Sequence, residues 1–189
     1  MHSNYLHQLL ITPSKHFSVC QKTGKFIYHE KKLQISRKNL ELPNNDLAVL
    51  FYTIRDKFSS AFYAEIFLAG FPPNTIEFLN RAWNLKADYF FCGCPKELSV
   101  PSYAKSKELS EFLRKLNIVE FQPHFADESG VIAVKLLQQE LIKAHKMNFF
   151  REIQPNFLNF VKDINQRNFP IHRPTTCYER TWLENLTTT

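Results

Sequence analysis

Cys92 and Cys94 are the residues with the clearest capacity for chemistry, because two thiolates one residue apart can share a zinc ion. Cys20, Cys177, His124 and His172 are the side chains that could complete a tetrahedral set. Structural zinc sites ordinarily supply two tight Cys pairs, and this chain of four cysteines has one, so the spacing favours cysteines at a helix end over a metal centre. A catalytic thiol would need a histidine held against it and a nearby cation to lower its pKa, and no spacing here supplies either. The seven histidines form no His-x3-His or His-Glu pair on one helical face and read as surface or satisfied core residues. Asp56, Asp127 and Glu128 are the acids available for proton transfer, and each is equally explained as a cap or an ion-pair partner. The sequence therefore nominates no catalytic residue, no metal ligands and no cofactor, and the reading leans away from an enzyme.

Charge and aromatic content give two further candidates. Residues 1–45 carry seven Lys or Arg against two Asp or Glu, which is nearly all of the chain's net +6. Lys22, Lys25, Lys31, Lys32, Arg37 and Lys38 lie on and beside predicted hairpins, a composition that can track a phosphate backbone. The plain alternative is a solvated outer face whose lysines guard an edge strand. The chain's 18 Phe, 7 Tyr and 2 Trp exceed what a core of this size needs, so some aromatics are candidates for an external groove. Phe149, Phe150, Phe160, Phe169, Tyr178 and Trp182 are the nominated partner-binding residues; burial in the core is the competing reading for each.

The elements that would position these side chains read as follows. Asn4–Ile11 has helical spacing, His16–Cys20 alternates, Lys22–Lys25 is a turn, and Phe26–Tyr28 with Leu33–Ile35 completes a three-strand meander. Leu47, Leu50, Phe51, Ile54, Phe58, Ala61, Phe62, Ile66 and Ala69 recur at three- and four-residue spacings, predicting one long buried helix over 46–69. Asn74 should cap a second helix running to Phe90, the two packing as a hairpin. Further helices are expected over Leu109–Leu116, Val134–Ala144 and from Pro155, with a last one capped by Thr176 and Glu179.

With 189 residues, 44% of them hydrophobic, the chain predicts one globular domain: an N-terminal helix and meander (1–42), a helical body (46–169) and a C-terminal segment (170–189). The predicted fold class is α+β, a mainly helical single domain with a small N-terminal antiparallel sheet and a central helical hairpin. Four glycines are too few for phosphate-cradling loops, which argues against Walker-type and Rossmann-type nucleotide binding. No leader or apolar run of membrane-spanning length is visible, so a cytoplasmic protein without membrane insertion is expected. The order of elements resembles, in layout only, the small adaptor and chaperone proteins of bacterial secretion systems. The predicted function is a non-enzymatic, chaperone-like adaptor holding another protein or peptide in an apolar groove. The alternative is a nucleic-acid-binding regulator using the basic hairpins. Oligomeric state is left open.

Overall fold

The computed structural model describes residues 3–121, 128–143, 149–167 and 181–183. Its organising element is β1 (Leu6–Val19), a strand of 14 residues that pairs directly with three of the five other strands, on its two sides and at its far end. On one side it pairs antiparallel with β3 (Leu47–Asp56), which in turn pairs antiparallel with β4 (Phe62–Leu68). On the other side it pairs parallel with β5 (Glu97–Ser99), and β5 pairs parallel with β6 (Val119–Phe121). The order is β4-β3-β1-β5-β6, with β2 (Phe26–Tyr28) forming a hairpin on the end of β1.

Helices cover both faces of this mixed sheet. Phe51 of β3 packs on Phe157 of α4 (Phe150–Gln166), with ring centroids 6.1 Å apart, and its neighbour Tyr52 packs on Phe78 of α1 (Thr75–Trp83) at 5.5 Å. Consecutive residues of a strand point to opposite faces, so β3 is buried on both. α3 (Glu128–Lys143) joins α4 on one side, and α2 (Lys107–Lys115) lies beside α1 and β6. The edge strand β4 is guarded by α4. The Asn165 amide bonds both the N–H and the C=O of Phe62, at 3.0 Å each, and Gln154 donates to Ile66 O at 3.2 Å. An edge that would otherwise invite strand addition is thereby closed.

The mainly helical prediction is overturned, and the failure has a physical cause. A strand buried on both faces is a continuous apolar run, and a dense run satisfies three- and four-residue spacing as readily as two-residue spacing. Residues 46–69 form β3 and β4, joined by a turn in which Ser60 has φ 67° and the Asp56 carboxylate accepts from Ser59 N. Phe58, predicted in the core, stands 38% exposed on that turn. The β-branched and aromatic Val49–Ile54 run was the local sign of a strand. Of the predicted helix Asn4–Ile11, residues 6–11 are strand and Asn4 sits in a turn, Leu33–Ile35 is loop, and the helical hairpin is absent among the described residues. α1 stops at Trp83, short of Phe90, and α4 opens at Phe150 with Pro155 inside it.

Other local signals held. Asn74 caps α1 by accepting from Ile76 N at 2.9 Å, the hairpin turn contains Gly24 at φ 70°, and Asn117 at φ 56° ends the α2 region. Val134, Leu137 and Leu141 of α3 are buried, as their stripe predicted.

Candidate functional site

β1 and β5 run parallel, yet the chain leaves β1 toward β3 on one side and reaches β5 on the other. Such a reversal opens a crevice beyond the carboxyl ends of the strands, the usual ligand position in sheets of this type. Here it is a cavity of ≈ 420 Å³ between the middle of β1 and of β3, the chain just after β4, the connection after β5, and the starts of α1 and α2. Its floor is apolar, with Ile11, Leu50, Tyr52 and Leu109.

The rim is built from groups the short β5 makes necessary. β5 ends opposite Gln8, so β1 runs on without that neighbour, and Ile11 would present an unpaired peptide group. Tyr103 and Arg37 close the gap: the Tyr103 hydroxyl accepts from Ile11 N at 3.2 Å, and Arg37 Nε donates to Ile11 O at 2.5 Å. The Arg37 guanidinium lies 3.7 Å from the centre of the Tyr103 ring, a cation–π contact that fixes both at the mouth. Lys105 is on the opposite rim, ion-paired to Glu120 at 2.8 Å. Asn74 and Ser106, which cap α1 and α2, also line the cavity, so two helix N-termini add partial positive charge. Next to it, Lys15, Arg37 and Lys38 line a depression of ≈ 360 Å³. Among the described residues, Asp and Glu line neither cavity. The arrangement suits an anion with an apolar or aromatic portion.

A second cluster of polar groups lies at the other end of β1 and is structural. His7 is fully buried; the Trp83 indole donates to its Nδ1 at 3.2 Å, so Nε2 carries the hydrogen and donates to Asn4 Oδ1 at 3.0 Å. Burial lowers the imidazole pKa from 6.5 to about 3, leaving the ring neutral. The Asp56 carboxylate, 4.0 Å from His7, binds Ser59 N and Oγ at 2.6 Å and Asn4 N at 3.1 Å. Desolvation, the largest influence on this carboxyl, raises its pKa. The hydroxyl of Ser59 is bound to Asp56 and not to His7, so the three do not form a nucleophile relay.

The Cys92–Cys94 spacing belongs to this structural cluster. Gly93 adopts φ +88°, donates to Trp83 O at 2.8 Å, and lies where a Cβ would come within 2.9 Å of Asn4 Nδ2. Asn4 in turn donates to Cys92 O. The Cys-Gly-Cys loop is thus shaped by a glycine turning around Asn4. Cys20, Cys92 and Cys94 are free thiols, and the described residues contain no group of three His, Cys, Asp or Glu able to hold a metal. Cys177, His124, His172 and Asp127 fall outside the described residues.

The nominated basic residues separate. Lys22 and Lys25 are exposed on the β1–β2 hairpin, Lys31 and Lys32 on the segment after it, and only Arg37 and Lys38 reach the crevice region. Among the aromatics, Phe149 lies beside Arg151, Phe150 is buried, and Phe160 packs edge-on against Phe157. Trp182 is fully buried on its own chain, stacked 4.7 Å from Phe91 and 5.9 Å from His7. Phe169 and Tyr178 fall outside the described residues. Sequence reasoning missed Tyr103, and took in Lys105 only as the start of a helix over 105–117 weighed as a nucleic-acid reader, not as a rim residue. Their signal was a short apolar run, Leu98–Val100, followed by Pro101 and the Ser106 helix cap, which together spell a strand, a loop and a helix.

The sheet order and its two helical layers match solved structures closely enough to compare whole chains. The catalytic core domain of HTLV-2 integrase in complex with magnesium, in its trimeric form, aligns with a TM-score of 0.55 over 96% of this chain and 97% of that one, at 12% identity. This chain has the fold of an integrase catalytic core. The dimeric form of the same domain gives 0.53 at 15% identity, over 96% and 97% of the two chains. The simian T-cell lymphotropic virus intasome, in complex with the PP2A regulatory subunit B56 gamma, gives 0.57 at 13% identity, over 96% of this chain and 56% of that one. No protein-family model matches the sequence, and no curated protein matches it. The integrase-core fold, with its mixed six-stranded sheet, overturns the mainly helical adaptor and chaperone-like layout expected from the sequence.

Proposed function

We propose that this chain is a nucleic-acid-handling domain of integrase-core type that receives the phosphate backbone at the crevice beyond β1 and β5. The observation that carries this reading is the crevice rim, where Arg37 and Lys105 stand over an apolar floor in a fold shared with integrase cores. Arg37 is already oriented by Ile11 O and the Tyr103 ring, so little side-chain freedom is lost when it meets a phosphate. Tyr103, 42% exposed, offers a ring face on which a base can stack. The hairpin lysines Lys22, Lys25, Lys31 and Lys32 lie away from this rim and have no part in the proposal.

The magnesium of the HTLV-2 integrase core raises the question of whether this chain's residues fit such an ion. Magnesium demands oxygen ligands, commonly one or two carboxylates plus waters and substrate phosphates. The strands carry four carboxylates, and each is held by its own neighbour: Asp56 by Ser59 and Asn4, Glu65 by Arg81, Glu97 by Tyr5, and Glu120 by Lys105 and Ser110. The described residues do not fit a magnesium site, and no step of the proposed binding runs through one.

Fluorescence anisotropy with short duplex and single-stranded oligonucleotides, over a series of salt concentrations, tests the function. Binding should weaken steeply with salt, and Arg37→Ala should reduce the salt slope by about 1, as loss of one phosphate contact requires. Charge reversal at Lys31 and Lys32 should leave most of the affinity in place. Absence of binding to either oligonucleotide, or equal binding by Arg37→Ala, would refute the reading.

A further inference from the structure

We infer that the crevice neutralises its phosphate ligand with its own cationic side chains and works without a divalent cation, an inference that rests on the nucleic-acid reading for the identity of the ligand. A metal-assisted phosphoryl site at this strand junction would need carboxylates projecting from the adjacent strand ends. The positions that would supply them are neutral. β1 places Leu9, Leu10, Ile11 and Thr12 there, and β5 ends at Ser99, followed by Val100 and Pro101. Among the side chains described on α3, which packs against β1 and β3, Ala133, Val134 and Leu137 are buried and apolar, Lys135 is exposed, and the Glu140 carboxylate is taken up by Arg167 and Lys143.

What the crevice does contain has the opposite sign to a carboxylate cage. Among the described residues, Arg37 and Lys105 are the charged ones lining it, with two helix N-termini beside them. A divalent cation in this space would be repelled by both side chains and would find, among the described residues, no carboxylate to replace its water shell. A phosphate oxygen there is attracted by the same groups. Glu120 tempers Lys105 from outside the cavity, so Arg37 carries the larger share of the attraction.

The test has two arms that fail separately. In the first, the intact chain alone is titrated with magnesium chloride while its melting temperature is followed, against sodium chloride of matched ionic strength, and with manganese chloride while its amide NMR signals are followed. The expected result is no saturable rise in melting temperature and no local paramagnetic broadening around residues 9–12 and 99–102. A saturable rise, or broadening confined to those residues, overturns the inference. In the second arm, oligonucleotide anisotropy is compared in EDTA and in magnesium at matched ionic strength. Affinities should agree within about twofold, since the contacts are to the protein's own cations; a tenfold or greater loss in EDTA, on the order of one decade, overturns the inference. If no oligonucleotide binds under either condition, the functional reading and the phosphate role of Arg37 fall together, and the metal half is decided by the first arm.

Discussion

Lowering the pH should unfold this protein chiefly through His7. The ring is fully buried, with Trp83 Nε1 donating to one nitrogen and Asn4 accepting from the other, and its pKa is lowered from 6.5 to about 3. In the unfolded chain the imidazole takes up a proton near its ordinary pKa; in the native chain it does not. Stability from this group is therefore fully present above about pH 6.5 and is lost as pH falls toward about pH 3, because the unfolded state binds the extra proton. Integrating between about pH 7 and about pH 5 gives a loss of about 2 kcal/mol, and to about pH 4 about 3 kcal/mol. Asp56 acts in the opposite direction, since its raised pKa makes the protonated form relatively favourable in the fold. His7→Gln removes the titration while keeping a side chain that can accept from Trp83, and it retains Asp56. Urea unfolding of both proteins at the two higher pH values should show wild type losing about 2 kcal/mol more than His7→Gln on acidification. If both proteins lose the same amount, or if the His7 ring titrates near 6.5 by NMR in the native state, the reasoning is wrong.

Three other perturbations follow from the packing. Asn165→Ala removes the acceptor of the Phe62 N–H, one of the two donors to the Phe62 C=O and a donor to Tyr89, and should cost about 3 kcal/mol in chemical denaturation, with more aggregation because the edge of β4 is opened. Phe62→Ala should cost about 3 to 5 kcal/mol by leaving a core cavity, whereas Phe58→Ala, on an exposed turn, should cost well under about 1 kcal/mol; equal effects would contradict the strand assignment. Trp182→Ala removes a fully buried ring from Phe91, Phe90 and His7, so the melting temperature should drop sharply, consistent with about 3 to 5 kcal/mol. An unchanged melting temperature would show that this ring does not dock on its own chain.

The signals legible in the sequence were those that act over a few residues. Asn74 caps its helix because a side-chain oxygen meets a free amide two residues on, which needs no tertiary partner. Gly24 and Asn117 end their elements for an equally local reason, a backbone conformation few other residues tolerate. The stripe of α3 was readable because its polar residues leave only one face to bury.

The sheet was decided elsewhere. Nothing within residues 46–69 states that both faces will be covered, and it is α1 and α4, far along the chain, that make an apolar run stable as two strands. Parallel pairing of β1 with β5 joins Leu6 to Glu97, a contact no local pattern announces, and it is this pairing that places the crevice. Arg37, Tyr103 and Lys105 could be read individually as a surface charge, a loop aromatic and a helix-flanking lysine. They become a site because β5 is short, leaving the Ile11 peptide to be satisfied by side chains brought from two different loops. Trp182 illustrates the same division. Its sequence says that an aromatic on a short segment must dock somewhere, and only the folded sheet end at His7 and Phe91 determines where.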